Sequence, residues 1–201
     1  MTMLTRLSVV VTLVVAVPVL AQQEHAPSAE ETAMMEAWAK AATPGPEHAR
    51  LAQLEGEWDM TIRSWTGPGA PPAEARGSST YRMILGGRYL EQTAVGEMGP
   101  EMGGAEFHGA GLTGYDNMRG VYVATWVDNM GTGILYAEGR WDDDTASLVT
   151  HAEYLDPMSG TTKKVRMVTR IVSPVRHVFE WHEDGPDGGD VKAMEIEYTR
   201  R

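Results

Sequence analysis

From residue 51 onward the chain alternates apolar and polar side chains with a period of two. Trp58, Met60 and Ile62 alternate with Asp59, Thr61 and Arg63, and Tyr81 and Met83 with Thr80 and Arg82. Val165, Met167, Thr169 and Ile171 alternate with Lys164, Arg166 and Arg170. Val175, His177, Phe179 and Trp181 do so with Arg176, Glu180 and His182, and Met194, Ile196 and Tyr198 with Glu195 and Glu197. Successive residues of a strand point to opposite faces, so each run predicts a strand with one apolar side. Turn-forming clusters separate the runs: GPGAPP at 67–72, LGGR at 85–88, EMGPEMGG at 97–104, DNMRG at 116–120 and DNMGTG at 128–133. DDDT at 142–145, DPMSG at 156–160, Ser173-Pro174 and DGPDGG at 184–189 complete the series. A chain of roughly eight to ten short strands with no helix between them is an antiparallel meander. Closing it into an up-and-down barrel removes the exposed edges, so the expected fold is an all-β barrel.

That pattern decides how one motif is read. Gly109, Gly111 and Gly114 in "HGAGLTGYDN" form G-x-G-x-x-G. A dinucleotide site needs a helix N-terminus after those glycines to receive the pyrophosphate. Here a turn follows, and then the strand-like run VYVATWVD at 121–128. The glycines are therefore expected to relieve crowding in a bent strand.

Upstream, Arg6 precedes an apolar run at 7–17 that Pro18 breaks, and Val19-Leu20-Ala21 supplies a cleavage-type sequence. This predicts a signal peptide at 1–21, cut after Ala21, and hence a periplasmic or secreted protein; an uncleaved anchor is the alternative. No other segment is apolar enough to cross a membrane, so no stable insertion is expected after cleavage. The chain has no cysteine, so an exported domain of this kind has to hold its fold by core packing alone. The formal net charge of -11 argues against nucleic acid or anionic lipid as partners.

Residues 22–47 read as a leader. Ser28 and Glu31 make a capping box for an alanine-rich helix whose Met34, Met35 and Trp38 form a narrow apolar stripe, and Thr43-Pro44-Gly45-Pro46 ends it. The stripe is expected to lie on the following domain, 48–201, and to lid one end of it.

Gly56-Glu57-Trp58 stands at the start of the first strand, and Arg200 and Arg201 close the last. Together with the strand count this is similar to lipocalin-like (calycin) barrels, in which a Gly-x-Trp opens the first strand and a basic residue covers the indole. That resemblance implies a plug of Gly56, Trp58 and Arg200 at a closed end. More specifically, "PGPEHARLAQLEGEWD", "ILGGRYLEQ", "GAGLTGYDNMRGVYVATWVDNMGTG" and "MEIEYTRR" resemble, in that order, the bacterial domain-of-unknown-function family 1579. The resemblance spans residues 44–201 and implies a lipocalin-like barrel without assigning an activity.

Chemistry-bearing residues are few. Trp126 and Asp128 share one strand face, an aromatic wall with one carboxylate if that face is internal. His177 alternates in phase with Phe179 and Trp181, so an interior imidazole is expected: a bonded core residue, a general base, or a ligand to haem or a metal. His151 with Glu153, and Glu180 with His182, lack a third metal ligand. Asp142-Asp143-Asp144 lacks the spacing of a calcium loop, and Asp116 and Asn117 read as turn formers. Met98, Met102, Met118 and Met130 lie in turns and are expected to line a soft apolar mouth. No thiol nucleophile, G-x-S-x-G, H-E-x-x-H or P-loop is present.

Three functions remain open. The first is an exported barrel holding a small apolar or amphipathic molecule, haem-like molecules included, with Met83, Trp126, Tyr136, His177, Phe179 and Trp181 as wall and Asp128 or His177 as orienting group. The second is an enzyme using Asp128 and His177 as an acid–base pair. The third is a barrel filled by its own side chains and acting through its surface.

Overall fold

The computed structural model describes residues 26–201, apart from 68, 99–103, 158, 186 and 187. The expected signal peptide and Met102 lie outside the described residues. Two helices, α1 (Ala29–Ala42) and α2 (Pro46–Ala52), precede ten strands. These are β1 (Gly56–Ser64), β2 (Ala73–Ile84), β3 (Tyr89–Glu97), β4 (Glu106–Asp116), β5 (Val121–Asp128) and β6 (Leu135–Asp142). β7 (Ser147–Leu155), β8 (Thr162–Ser173), β9 (Arg176–Asp184) and β10 (Asp190–Arg200) follow. Each strand pairs antiparallel with the next, and β10 returns to β1, so the sheet closes into the expected all-β barrel.

Register explains why the separate alternations form one core. Across the closing seam Trp58 faces Arg200, Met60 faces Tyr198 and Ile62 faces Ile196. On the far side of β10, Tyr198 meets His177, Ile196 meets Phe179 and Met194 meets Trp181. The same phase runs round to Trp126 on β5, paired with Gly111 on β4 and Leu135 on β6. All these residues point inward. Charged residues on the outer face are paired: Arg63 bonds Glu74 and Glu195 (both 3.2 Å) and lies 3.7 Å from Glu197, Arg82 bonds Glu91 (2.7 Å), and Arg176 bonds Glu197 (2.6 Å). Exposed pairs of this kind add little stability, and Leu112, Val127 and Tyr136 stand exposed on the same outer face. Among the described residues no helix is long and apolar enough to cross a membrane.

The leader departs from expectation. Ser28 does cap α1, its Oγ accepting from the Glu31 backbone N–H at 3.2 Å while Glu31 accepts from the Ser28 N–H at 2.7 Å. Yet Met34, Met35 and Trp38 are 56%, 52% and 71% exposed, so the stripe does not lie on the barrel. α1 is instead held at its C-terminal end by the Asn117 amide, which donates to the carbonyls of Lys40, Ala41 and Thr43. The lid is α2. Pro46 occupies its first turn, Leu51 and His48 are buried, and the His48 Nδ1 accepts from the Gly45 N–H at 3.0 Å. The i, i+3 pair of a seven-residue helix is too short to register as periodicity, which is why the sequence points to the longer helix instead.

Candidate ligand site in the barrel lumen

The closed end is built first by β1. Gly56 sits at φ +130°, a conformation open to glycine, and a Cβ there would collide with the Arg200 guanidinium. Trp58 is 1% exposed, and its indole N–H donates to the Leu54 carbonyl at 2.9 Å. The Arg200 guanidinium carbon lies 4.2 Å from the Trp58 ring centroid. Its nitrogens donate to the carbonyls of Pro174 (2.8 Å), Gln53 (3.0 Å) and Glu55. Gly56, Trp58 and Arg200 are thus one assembly, a buried ring under a cation with a hydrogen bond from each of its three nitrogens.

His177 lies directly above. It is 0% exposed, stacked on Tyr198 (centroids 4.1 Å apart, 12° between planes) and met edge-on by Trp58 at 4.4 Å and Tyr81 at 5.5 Å. Among the described residues neither ring nitrogen has a hydrogen-bond partner. Burial, helped by the Arg200 charge, pushes its pKa down to about 3, so the imidazole is neutral at ordinary pH. Enclosed by three rings, it has no open face for a porphyrin and does not fit the role of haem ligand. Beside it, Gln92 Nε2 donates to Ser79 Oγ (3.2 Å) and Tyr198 Oη (3.4 Å), and Ser79 Oγ donates to the Thr93 carbonyl (2.8 Å). This polar layer is the floor of the lumen.

Above the floor the inward side chains change character. Trp58, Tyr122, Leu90 and Tyr198 at the closed end are at most 3% exposed. Ile62, Trp126, Leu135, Thr169, Phe179, Trp181, Met194 and Ile196 all point inward, yet each retains partial solvent exposure. Solvent therefore reaches these side chains, while Ala137, Ala152, Val165 and Met167, which face inward in the mouth half, are buried together against Leu135, Tyr154, Phe179 and Trp181.

The mouth is framed by two Trp-x-acid segments. At the end of β5 the Trp126 indole N–H donates to Asp128 Oδ2 (3.0 Å), while Asp128 Oδ1 accepts from the Met130 backbone N–H (2.9 Å). At the end of β9 the Trp181 indole N–H donates to Glu183 Oε1 (2.8 Å), which also accepts from Tyr154 Oη (2.8 Å). Lys163 bonds Glu183 Oε2 and lies near Asp156, both at 3.2 Å. Burial raises the Glu183 pKa, but the bonds from Trp181, Tyr154 and Lys163 outweigh it and leave the carboxyl below its ordinary value. Burial, with Glu183 beside it, pushes the Tyr154 hydroxyl up to about 12.

The G-x-G-x-x-G glycines are a mould for two rings. A Cβ on Gly111 would lie 2.7 Å from Cε3 of Trp126, and one on Gly109 would strike the opposite edge of the same benzo ring. Contact along both edges means that the ring lies flat on β4. A Cβ on Gly114, on the outer face, would lie 2.6 Å from the Tyr89 ring.

Of the residues singled out from sequence, Trp126, Asp128, Phe179 and Trp181 all lie in the inward phase of their strands, and Trp126 bonds Asp128. Met83 faces inward but packs at the closed end, one residue from the end of β2. Tyr136 points outward, is 48% exposed and bonds Glu138 (2.5 Å), so it does not line the lumen. Its phase on β6 is set by Leu135 and Ala137, which face in. His177 and Asp128 stand at opposite ends of the barrel and form no acid–base pair. Glu183, Tyr154 and Lys163 join Trp181 at the rim, and the sequence signal for Glu183 is the Trp-x-acid spacing that Trp181-His182-Glu183 shares with Trp126-Val127-Asp128. Among the described residues no group of three His, Asp or Glu side chains is placed to hold a metal. Met118 and Met130 are exposed turn residues.

The sequence model of a family described as Protein of unknown function (DUF1579) matches residues 43–200. No curated protein matches the chain. Among solved structures, a redesigned β-barrel is similar at 14% identity and a TM-score of 0.40, covering 76% of this chain and 95% of that one. A de novo designed fluorescence-activating β-barrel is similar at 13% identity and a TM-score of 0.42, covering 75% and 96%.

Proposed function

This chain belongs to the DUF1579 family, and we propose that it is an exported binding protein that holds one small apolar or amphipathic molecule in the mouth half of its barrel. A closed β-barrel is compatible with ligand binding, and the observation that carries this reading is that large inward side chains of the mouth half, Trp126, Leu135, Trp181 and Met194, are only partly buried, although Val165 and Met167 beside them are covered. Concave, mostly apolar sites with a few placed polar groups are the general form of small-molecule pockets. Here the wall is Ile62, Trp126, Phe179, Trp181 and Ile196, the polar groups are Asp128, Glu183 and Tyr154 at the mouth, and Gln92 lies at the floor. No step of bond making is proposed, and haem is left out because His177 offers it no face.

Native mass spectrometry of the protein isolated from its own host, beside an Ile196→Trp variant that fills the lumen, tests this. A small mass retained by the wild type, released on denaturation and absent from the folded variant supports the reading. An adduct kept equally by both proteins, or none after exposure to apolar probes, contradicts it.

A further inference from the structure

The geometry points to the class of ligand: a molecule with a cationic head, an alkyl- or arylammonium, seated against Trp126 and Asp128 with its apolar body inside the lumen. This rests on the lumen reading above and narrows it. The charges at the mouth are unequal in their needs. Among the described residues Lys163 is a cation in the inward phase at the rim, and it is already held between Asp156 and Glu183. An anionic head would have to displace one of those carboxylates. Asp128 is different. Its oxygens accept from an indole N–H and a backbone N–H, and among the described residues no Lys, Arg or His lies within salt-bridge distance of it. A carboxylate in a half-enclosed site, bonded by neutral donors alone, is a place where a ligand's positive charge gains most.

The ring beside it is prepared for the same charge. Gly109 and Gly111 bed the Trp126 indole flat on β4, and its N–H bond to Asp128 fixes the ring's rotation. One π-face lies on the β4 backbone, and because Trp126 is in the inward phase of β5 a cation entering from the mouth would meet both the ring quadrupole and the carboxylate. Two glycines in a strand interior weaken the strand, so the sheet gives up stability here to hold a ring against the accessible half of the lumen. The overall charge of -11 biases encounter toward cations as well.

The test compares decylammonium, decanol and decanoate, each below its aggregation threshold, binding to the full chain by titration calorimetry at low and moderate salt. Decylammonium is expected to bind at least ten-fold more tightly than the other two, and to weaken as salt rises while decanol does not. Asp128→Asn retains an acceptor for Trp126 and should reduce the ammonium preference about ten-fold, leaving decanol unchanged. If that variant does not fold, the salt dependence of the wild type carries the decision. Equal binding of all three, or a preference that survives both Asp128→Asn and added salt, overturns the cationic head but leaves the lumen reading standing. Binding of none overturns both.

Discussion

His177 makes the fold acid-sensitive, and the size of the effect follows from its burial. In the unfolded chain a histidine titrates near 6.5. In the folded barrel its pKa is about 3, because desolvation among Trp58, Tyr81 and Tyr198, with Arg200 nearby, disfavours the charged ring. A lowered folded-state value means that the unfolded chain binds the extra proton first. The stabilising contribution is complete above about pH 6.5 and is lost progressively as pH falls toward 3. Each pH unit across that window costs about 1.4 kcal/mol, so moving from pH 7.5 to 5 should cost about 2 kcal/mol through this residue. Urea denaturation followed by tryptophan fluorescence at the two pH values, on wild type and His177→Phe, isolates the term. Carboxylates and other histidines contribute equally to both proteins and cancel in the difference of differences. The variant should lose about 2 kcal/mol less than wild type between the two pH values. Parallel pH dependences would show that His177 is solvated or bonded in the native state and would refute the reasoning.

Three further outcomes are expected. Trp58→Ala should destabilise the barrel by about 3–5 kcal/mol, as other buried aromatic truncations do, and an unchanged melting temperature would remove the ring from the closed end. Gly111→Ala should push the Trp126 ring off β4, shift its emission and weaken decylammonium binding at least ten-fold, whereas an unaltered spectrum would contradict the flat seat. Protein recovered from the periplasm should begin at Gln22; an intact Met1 on the recovered chain would refute cleavage after Ala21.

The barrel was legible because period-two alternation and turn chemistry are local properties, and closure follows from the need to hide edges. The seating of individual side chains was less so. Tyr136 and Trp126 sit on neighbouring strands, and whether an aromatic faces in depends on a phase that only pairing settles; Leu135 opposite Trp126 turns Tyr136 outward. His177 was readable as interior from its phase with Phe179, but its depth depends on Trp58 and Tyr198, which are 119 and 21 residues away in the chain. The glycines of β4 carried a pattern whose meaning lay in Trp126 on the next strand. The lid was misplaced because a strong capping box marks where a helix begins, not which face it buries.

Closing the barrel joins residues as far apart as Arg201 and Asp59, 142 positions along the chain. Contacts of such separation are slow to form, and until they do the edges of β1 and β10 are open to other unfinished copies. Charges of both signs stand along this seam: Asp59 of β1 meets Arg201, and Arg63 of β1 meets Glu195 and Glu197 of β10. Opposite signs meet at both places only in the native register, so the seam disfavours a slipped closure, and the edge that completes it is the one the chain itself holds at the highest local concentration.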